Sequence, residues 1–409
     1  MHDALTRVQR KAGRWLREWT PHLVQYRPVG VHPSSRELAA HPGSGTAYFG
    51  VVPGYTSYLV IPDDFYALAS EYTGLHGKPH RQEKVPPAFV VELTNGRVYA
   101  DNFESVAIIS ADGRLVGDVS FQYDHRQMQL CAPQDNNIFR QAYFQTPVDV
   151  PGTVCSLLSG GGAASGNYYH WLIDSLPRLH LVREAGLLSA VDYFLVYDKT
   201  KSFVRETMAA LGIGAERLLD VATQPHLRAR RLLATSNVRG HLTHTPNWAF
   251  DFLRRSLLPP PPVERPFSPN IYISRRDAPG RRILNEPALE ELLREYGFET
   301  HVLTPYSQAE KTALFAQARV VVSAVGAGLA NLAFSPVGAQ LIELFPPSFV
   351  VADYLEFTAR LGIGHQFLVG TSPQASTSRT NAQRDDLLVD LAAFRPLLEK
   401  ALARTATLV

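Results

Sequence analysis

Val320-Val321-Val322-Ser323-Ala324-Val325-Gly326-Ala327-Gly328-Leu329-Ala330-Asn331 decides how this chain folds. An apolar run of strand length enters a Gly-x-Gly turn and continues into an apolar helix, the pattern of a buried parallel strand passing into its crossover connection. Such a turn brings backbone N–H groups and a helix N-terminus toward an anion, and glycine is needed because a Cβ would block the close approach of a phosphate. Taken alone, a tight strand-to-helix turn without a ligand reads the same way. The next strand carries Glu343, placed at a carboxyl edge where an acid can accept hydrogen bonds from ribose hydroxyls. Gly326, Ala327, Gly328, Leu329, Asn331 and Glu343 are therefore expected nucleotide-binding residues. Asn331 stands where a dinucleotide fingerprint has its third glycine, and the motif comes late in its domain, so a nicotinamide oxidoreductase is the weaker reading.

Outward from this stretch, strands alternate with amphipathic helices. Asn270 to Ser274, Glu299 to Leu303, Arg319 to Ser323 and Gln340 to Phe345 read as strands, and Glu286 to Tyr296 and Ser307 to Ala316 as helices. That alternation predicts a doubly wound α/β domain over 270–409, closed by a final helix over 385–404. A proline cluster from Pro259 to Pro269 reads as a linker. Before it, Val154 to Leu158 and Tyr193 to Tyr197 read as strands, with Tyr168 to Ala185 and Lys201 to Leu211 as helices, a second Rossmann-like unit beginning at residue 151 inside an N-terminal domain over 28–258. Asn95-Gly96 and Asp112-Gly113 are hairpin signals and predict a small β meander over 85–125, while Pro28 to Gly50 reads as a loop with little regular structure.

With 409 residues, 45% of them hydrophobic, the chain can fill more than one core, and a net charge of +2 gives no global attraction for nucleic acid. Its two cysteines, Cys131 and Cys155, sit in no disulfide or zinc spacing, so no metal is expected. No apolar run is long enough to span a bilayer and no secretory signal opens the chain, which points to a cytoplasmic protein. Residues 1–27 read as a basic amphipathic helix, with Trp15 and Trp19 on one side and Arg7, Arg10, Lys11, Arg14 and Arg17 on the others. Residues 1–20 either touch an anionic membrane surface peripherally or pack on protein.

Two further clusters carry chemistry. Ser274-Arg275-Arg276-Asp277, then Arg281-Arg282 and Asn285-Glu286, follow the first strand of the C-terminal unit. Arginines at a carboxyl edge suit a diphosphate clamp, because the guanidinium fork matches phosphate oxygens. Ser274, Arg275, Arg276 and Arg282 join the expected nucleotide set, while Arg281 and Arg282 also read as a solvated basic loop. In Asn167-Tyr168-Tyr169-His170-Trp171-Leu172-Ile173-Asp174-Ser175-Leu176-Pro177-Arg178, the spacing puts His170, Asp174 and Arg178 at i, i+4 and i+8 on one helical face. An acid beside a histidine can poise a general base near neutral pH, so Asp174, with His170 as partner or substitute, is the expected catalytic base. Asn167, Tyr169, Trp171 and Arg178 are expected to line the substrate site; an exposed, salt-bridged helix face is the alternative.

In that order the three clusters resemble glycosyltransferase family 61, over about Thr153 to Pro347. The resemblance implies a GT-B fold, with two Rossmann-like domains facing a cleft, and inverting transfer from a nucleotide sugar, usually linked to uridine diphosphate, without a metal or other cofactor. It implies a saccharide or glycolipid acceptor, and, among cytoplasmic bacterial members, a place in capsule, exopolysaccharide or lipopolysaccharide assembly. Family members usually carry histidine directly before the Gly-Ala-Gly, where this chain has Val325, which cannot supply an imidazole's contacts. A sugar-nucleotide-binding scaffold without turnover is the rival this departure supports.

Overall fold

The computed structural model describes residues 24–71, 81–100, 105–124, 129–141, 143–159, 167–239, 244–258, 267–373, 376 and 379–406. Most of the expected N-terminal helix, residues 160–166 and most of the proline linker lie outside the described residues. No helix among the described residues is long and apolar enough to cross a membrane.

A mixed 12-stranded sheet is built around β1 (Thr46–Val52), β2 (Ala88–Thr94), β3 (Arg97–Tyr99), β4 (Ser105–Ile109), β5 (Val148–Ser156), β6 (Tyr193–Val196), β7 (Leu218–Asp220) and β8 (His226–Thr235). Strands β5 to β8 are parallel, in the spatial order β8-β5-β6-β7. The chain therefore leaves β5 in one direction and returns on its other side as β8, which makes the β5/β8 edge a topological switch point. Asn95-Gly96 does not form a hairpin: β2 and β3 both lie antiparallel along β8 as one bent strand. Asn95 takes φ 52°, and a Cβ on Gly96 would come within 2.9 Å of Leu232 and Leu93. The pair thus makes a bulge that lets β8 approach, and the predicted meander is an extension of the main sheet. Asp112-Gly113 does turn the chain, joining β4 to a short strand at Leu115–Val116 with Gly113 at φ 79°. The stretch read as loop contains β1, paired to β2, and a helix at Ser35–Ala40 capped by Ser34.

The second sheet is wholly parallel. It comprises β9 (Asn270–Ile273), β10 (Glu299–His301), β11 (Val320–Ala324), β12 (Gln340–Phe345) and β13 (Gly364–Val369), in the order β10-β9-β11-β12-β13. All five residues of β11 are buried, as a central parallel strand covered on both faces requires. The switch point lies between β9 and β11, directly after which come Arg275 and Gly326. The main helices are α1 (Asp63–Glu71), α2 (Ser202–Ala210), α3 (Asn247–Leu257), α4 (Glu286–Glu295), α5 (Gln308–Gln317), α6 (Asp353–Leu361) and α7 (Leu391–Ala406). Helix α7 starts six residues later than predicted, because Leu387 and Leu388 bridge to Ile283 and Thr371 instead.

One apolar cluster joins the two sheets. It takes in Trp171, Leu172, Met208, Phe250 and Phe252 from the first half and Leu314, Phe315, Leu332, Phe345 and Phe357 from the second. Separate cores cover the far face of each sheet. A strap tightens the union: between β1 and β2 the chain crosses to the second half, where Phe65 of α1 packs edge-on against Phe345, His365 and Phe367. Arg360 of α6 donates to the Ser57 hydroxyl on the same strap, at 2.5 Å.

Candidate functional site

At the first switch point, the helical segment that follows β5 is interrupted. Asn167 caps it, its side chain accepting from Tyr169 N at 2.9 Å, and Tyr168–His170 is α-helical. Trp171–Ser175 then forms a π turn, closed by Leu176 N donating to Trp171 O at 2.9 Å, before an α-helix resumes at Arg178–Glu184. Pro177 has no N–H to give the Ile173 carbonyl, so the wider turn forms where the α-helical bond is lost. His170 and Asp174 still meet, Nδ1 to Oδ2 at 2.6 Å.

Arg178 does not share their face. It is buried, and its guanidinium donates to the Asp174 carbonyl at 3.0 Å, the Thr235 hydroxyl at 2.8 Å and the Thr235 and Ser236 carbonyls. The extra residue in the π turn carries it past the His170–Asp174 stripe toward the end of β8. Trp171 is core as well, its indole N–H donating to the Thr207 hydroxyl of α2 at 2.9 Å.

The residue that completes this end is Arg239. Its Nε donates to Asp174 Oδ1 at 2.5 Å and its Nη2 to Oδ2 at 3.1 Å, a bidentate pair with little solvent access. Burial alone would raise the Asp174 pKa, but Arg239 and the hydrogen bond to His170 outweigh it and hold the carboxyl well below the usual range. Both carboxylate oxygens are thus engaged, whereas His170 Nε2 has no hydrogen-bond partner among the described residues. Arg239 Nη1 also reaches the Tyr169 hydroxyl at 3.4 Å and Asp353 Oδ1 at 3.8 Å, and Tyr169 donates to that same Asp353 oxygen at 3.2 Å. Nothing in Asn237-Val238-Arg239 forms a motif; the one signal is its place just past the carboxyl end of a parallel strand.

At the second switch point the arginines divide into two kinds. Arg276 pairs with Glu286 and Glu290 and donates to the Ser274 hydroxyl, which in turn donates to Glu286 at 2.6 Å. Arg282 pairs with Asp386 at 2.8 Å. Arg275 and Arg281, by contrast, form no ion pair among the described residues, and the buried Nε of each has no hydrogen-bond partner. Arg275 lies against Gly326 so closely that a Cβ there would overlap its guanidinium. Arg281 takes φ 59° and lies over the Phe349 ring, 5.0 Å from its centroid. Burial, then the charge of Arg275 beside it, pulls the Arg281 pKa down to about 10. The sequence places Arg282, and not Arg281, in the expected nucleotide set; in the structure Arg282 is already paired and Arg281 forms no ion pair among the described residues.

Gly326 opens a 3-10 helix at Ala327–Phe334, whose first amides have no intrahelical acceptor. Its carbonyl accepts from Leu329 N at 3.0 Å and from the Tyr354 hydroxyl at 2.6 Å. Leu329 is core, and Asn331 is fully buried with Oδ1 2.6 Å from the Tyr168 hydroxyl, a link between the halves rather than an open binding group. Glu343 is not at the open edge. It pairs in register with Ser323 and Phe367 inside the sheet, fully buried, with one oxygen 3.0 Å from His365 Nε2 and the other unpartnered. Burial, with Asp353 adding to it, lifts its pKa well above the usual range, while burial lowers His365 to about 3, so both shifts favour the uncharged forms.

The two ends are connected. From Asp174 the contacts run through Arg239 to Tyr169, whose ring lies 5.9 Å from that of Tyr354, and Tyr354 holds the Gly326 carbonyl beneath Arg275. Residues 168–342 match the family model described as Glycosyltransferase 61. The chain carries a glycosyltransferase 61 domain. The match supports a glycosyltransferase role. The glycosyltransferase 61 match takes in His170, Asp174, Arg239, Arg275, Arg281 and Gly326 and ends before Asp353 and Tyr354. A comparison with curated proteins finds no match.

Proposed function

We propose that this glycosyltransferase uses a nucleoside diphosphate sugar, with uridine diphosphate as the carrier, and transfers the sugar with inversion to a hydroxyl of a saccharide or glycolipid acceptor in surface polysaccharide assembly. The observation that carries the proposal is the pair of neighbouring guanidinia, Arg275 against Gly326 and Arg281 beside it, neither in an ion pair among the described residues, at a topological switch point. Two adjacent cations and a set of free helix amides match the charge of a diphosphate and stabilise it further as it leaves. They do so with side chains and main-chain dipoles, so the reading includes no metal. A GT-B arrangement, one sheet offering the donor site and the other the base, accords with the two switch points.

In the step itself, His170 Nε2 accepts the proton of the acceptor hydroxyl while Asp174 orients the imidazole through Nδ1. The acceptor oxygen bonds to the anomeric carbon as the bond from that carbon to the diphosphate oxygen breaks, and the electron pair departs with the diphosphate toward Arg275, Arg281 and the amides of Ala327 and Gly328. Asp174 suits orientation better than proton transfer, because Arg239 occupies both of its oxygens. The test is transfer, or donor hydrolysis, by the purified chain across a panel of uridine diphosphate sugars. His170→Asn should slow turnover by about 10²–10⁴-fold with uridine diphosphate affinity unchanged by calorimetry. Wild-type turnover in that variant, or no binding of uridine diphosphate by the native chain, would remove the reading.

A further inference from the structure

We propose that Arg239 is a positioning residue of the transfer reaction, which grips Asp174 behind His170, tunes that pair as the base, and shares its guanidinium with Asp353 on the donor half. The inference rests on the proposed role of His170 as base. Its own support is geometric: a bidentate contact to Asp174 on one side, and Asp353 at 3.8 Å on the other.

The groups that face Arg239, which lies just past the end of β8, come from two elements. The helical segment after β5 brings Asp174, the Tyr169 hydroxyl and His170 behind Asp174, with Arg178 touching the Asp174 carbonyl. Helix α6 brings Asp353 and Glu356, and Glu356 is itself paired with Arg360 at 2.8 Å. A buried carboxylate with no cation beside it would pull a proton onto the neighbouring imidazole and keep it there, and such an imidazole is a poor base near neutrality. Arg239 cancels most of that field. Asp353 competes for the same guanidinium, and the next residue, Tyr354, holds the Gly326 carbonyl in the donor loop. The base is thereby tied to the helix whose Tyr354 holds the donor loop.

Opposite substitutions should move the pair in opposite directions. Removing the cation lets Asp174 act fully on His170, so the pair binds its proton more tightly and titrates at higher pH. Removing Asp353 deletes a negative charge and returns Arg239 wholly to Asp174, so the pair titrates at lower pH. A general loss of packing would not produce displacements of opposite sign.

The experiment is a ¹³C NMR titration of the histidine-labelled full chain, with the His170 signal identified by its loss in His170→Asn. Arg239→Gln should raise the His170 midpoint by about one pH unit. Arg239→Lys, which keeps the charge, should stay near wild type, and Asp353→Asn should lower the midpoint. The acid limb of the kcat profile should follow each shift. An unmoved midpoint in Arg239→Gln overturns the proposal. Should that variant not fold, an unmoved or raised midpoint in Asp353→Asn overturns it equally. Midpoints that move as expected in a chain that transfers no sugar uphold Arg239's control of the pair and overturn the transferase reading instead.

Discussion

At the edge between β5 and β8, Asp174, Arg239 and Asp353 answer one another's charge, while at the edge between β9 and β11 Arg275 and Arg281 stand side by side and form no ion pair among the described residues. Both edges are switch points of parallel sheets, and both are buried enough for charge to matter. The first is a finished network whose task is to hold one imidazole. The second is an unfinished one, and two clustered cations are stable there when a mobile anion completes the set. Neutralised charge marks positioning and unneutralised charge marks binding, a distinction more useful than counting arginines.

The largest effect expected from this contrast is on stability at the finished edge. Asp174→Asn leaves Arg239 buried without its main partner and should cost about 3 kcal/mol at neutral pH in urea unfolding. The folded carboxyl is held below its ordinary value, so its contribution is complete above the unfolded pKa near 4 and is lost as pH falls through the folded value. The gap between wild type and variant should therefore narrow in acid; a gap that widens would mean the pair is not what stabilises this edge. Next comes the unfinished edge, where Arg281→Ala should weaken uridine diphosphate binding about tenfold by calorimetry. Arg282→Ala, already paired with Asp386, should leave affinity nearly unchanged, and equal losses in the two variants would erase the distinction. The smallest effect belongs to Glu343→Gln. An acid whose burial favours the uncharged form should tolerate it, with a change below about 0.5 kcal/mol and no change in nucleotide affinity. A large loss of either would restore Glu343 as a charged or ligand-binding group.

Much of the second sheet was legible in the sequence because each element announces its own ends: Pro287 opens α4 and Gly297 follows its last turn, and β11 is an unbroken apolar run into glycine. Asn95-Gly96 misled because a positive φ serves a bulge as well as a turn, and only the strand alongside, more than a hundred residues away, decides between them. The same limit applied to the site. His170 and Asp174 are four residues apart and were found from spacing, but which arginine is free depends on distant acids such as Asp386, 104 residues from Arg282. Arg239 had no spacing to find it by, since its partner Asp174 lies 65 residues earlier. Pro177 stands in the segment that reads as a helix, yet its effect, a π turn that swings Arg178 toward the end of β8, follows only from the neighbouring strand.

The strap between β1 and β2 also has a consequence for how the protein is made. Phe65 emerges from the ribosome about 300 residues before His365 and Phe367, the rings it packs against. At 5–20 residues per second, that is a wait on the order of 15–60 s with an apolar ring uncovered. The early half cannot reach its final form during synthesis until the late half arrives, so the nascent chain must keep this segment soluble on credit from its surroundings.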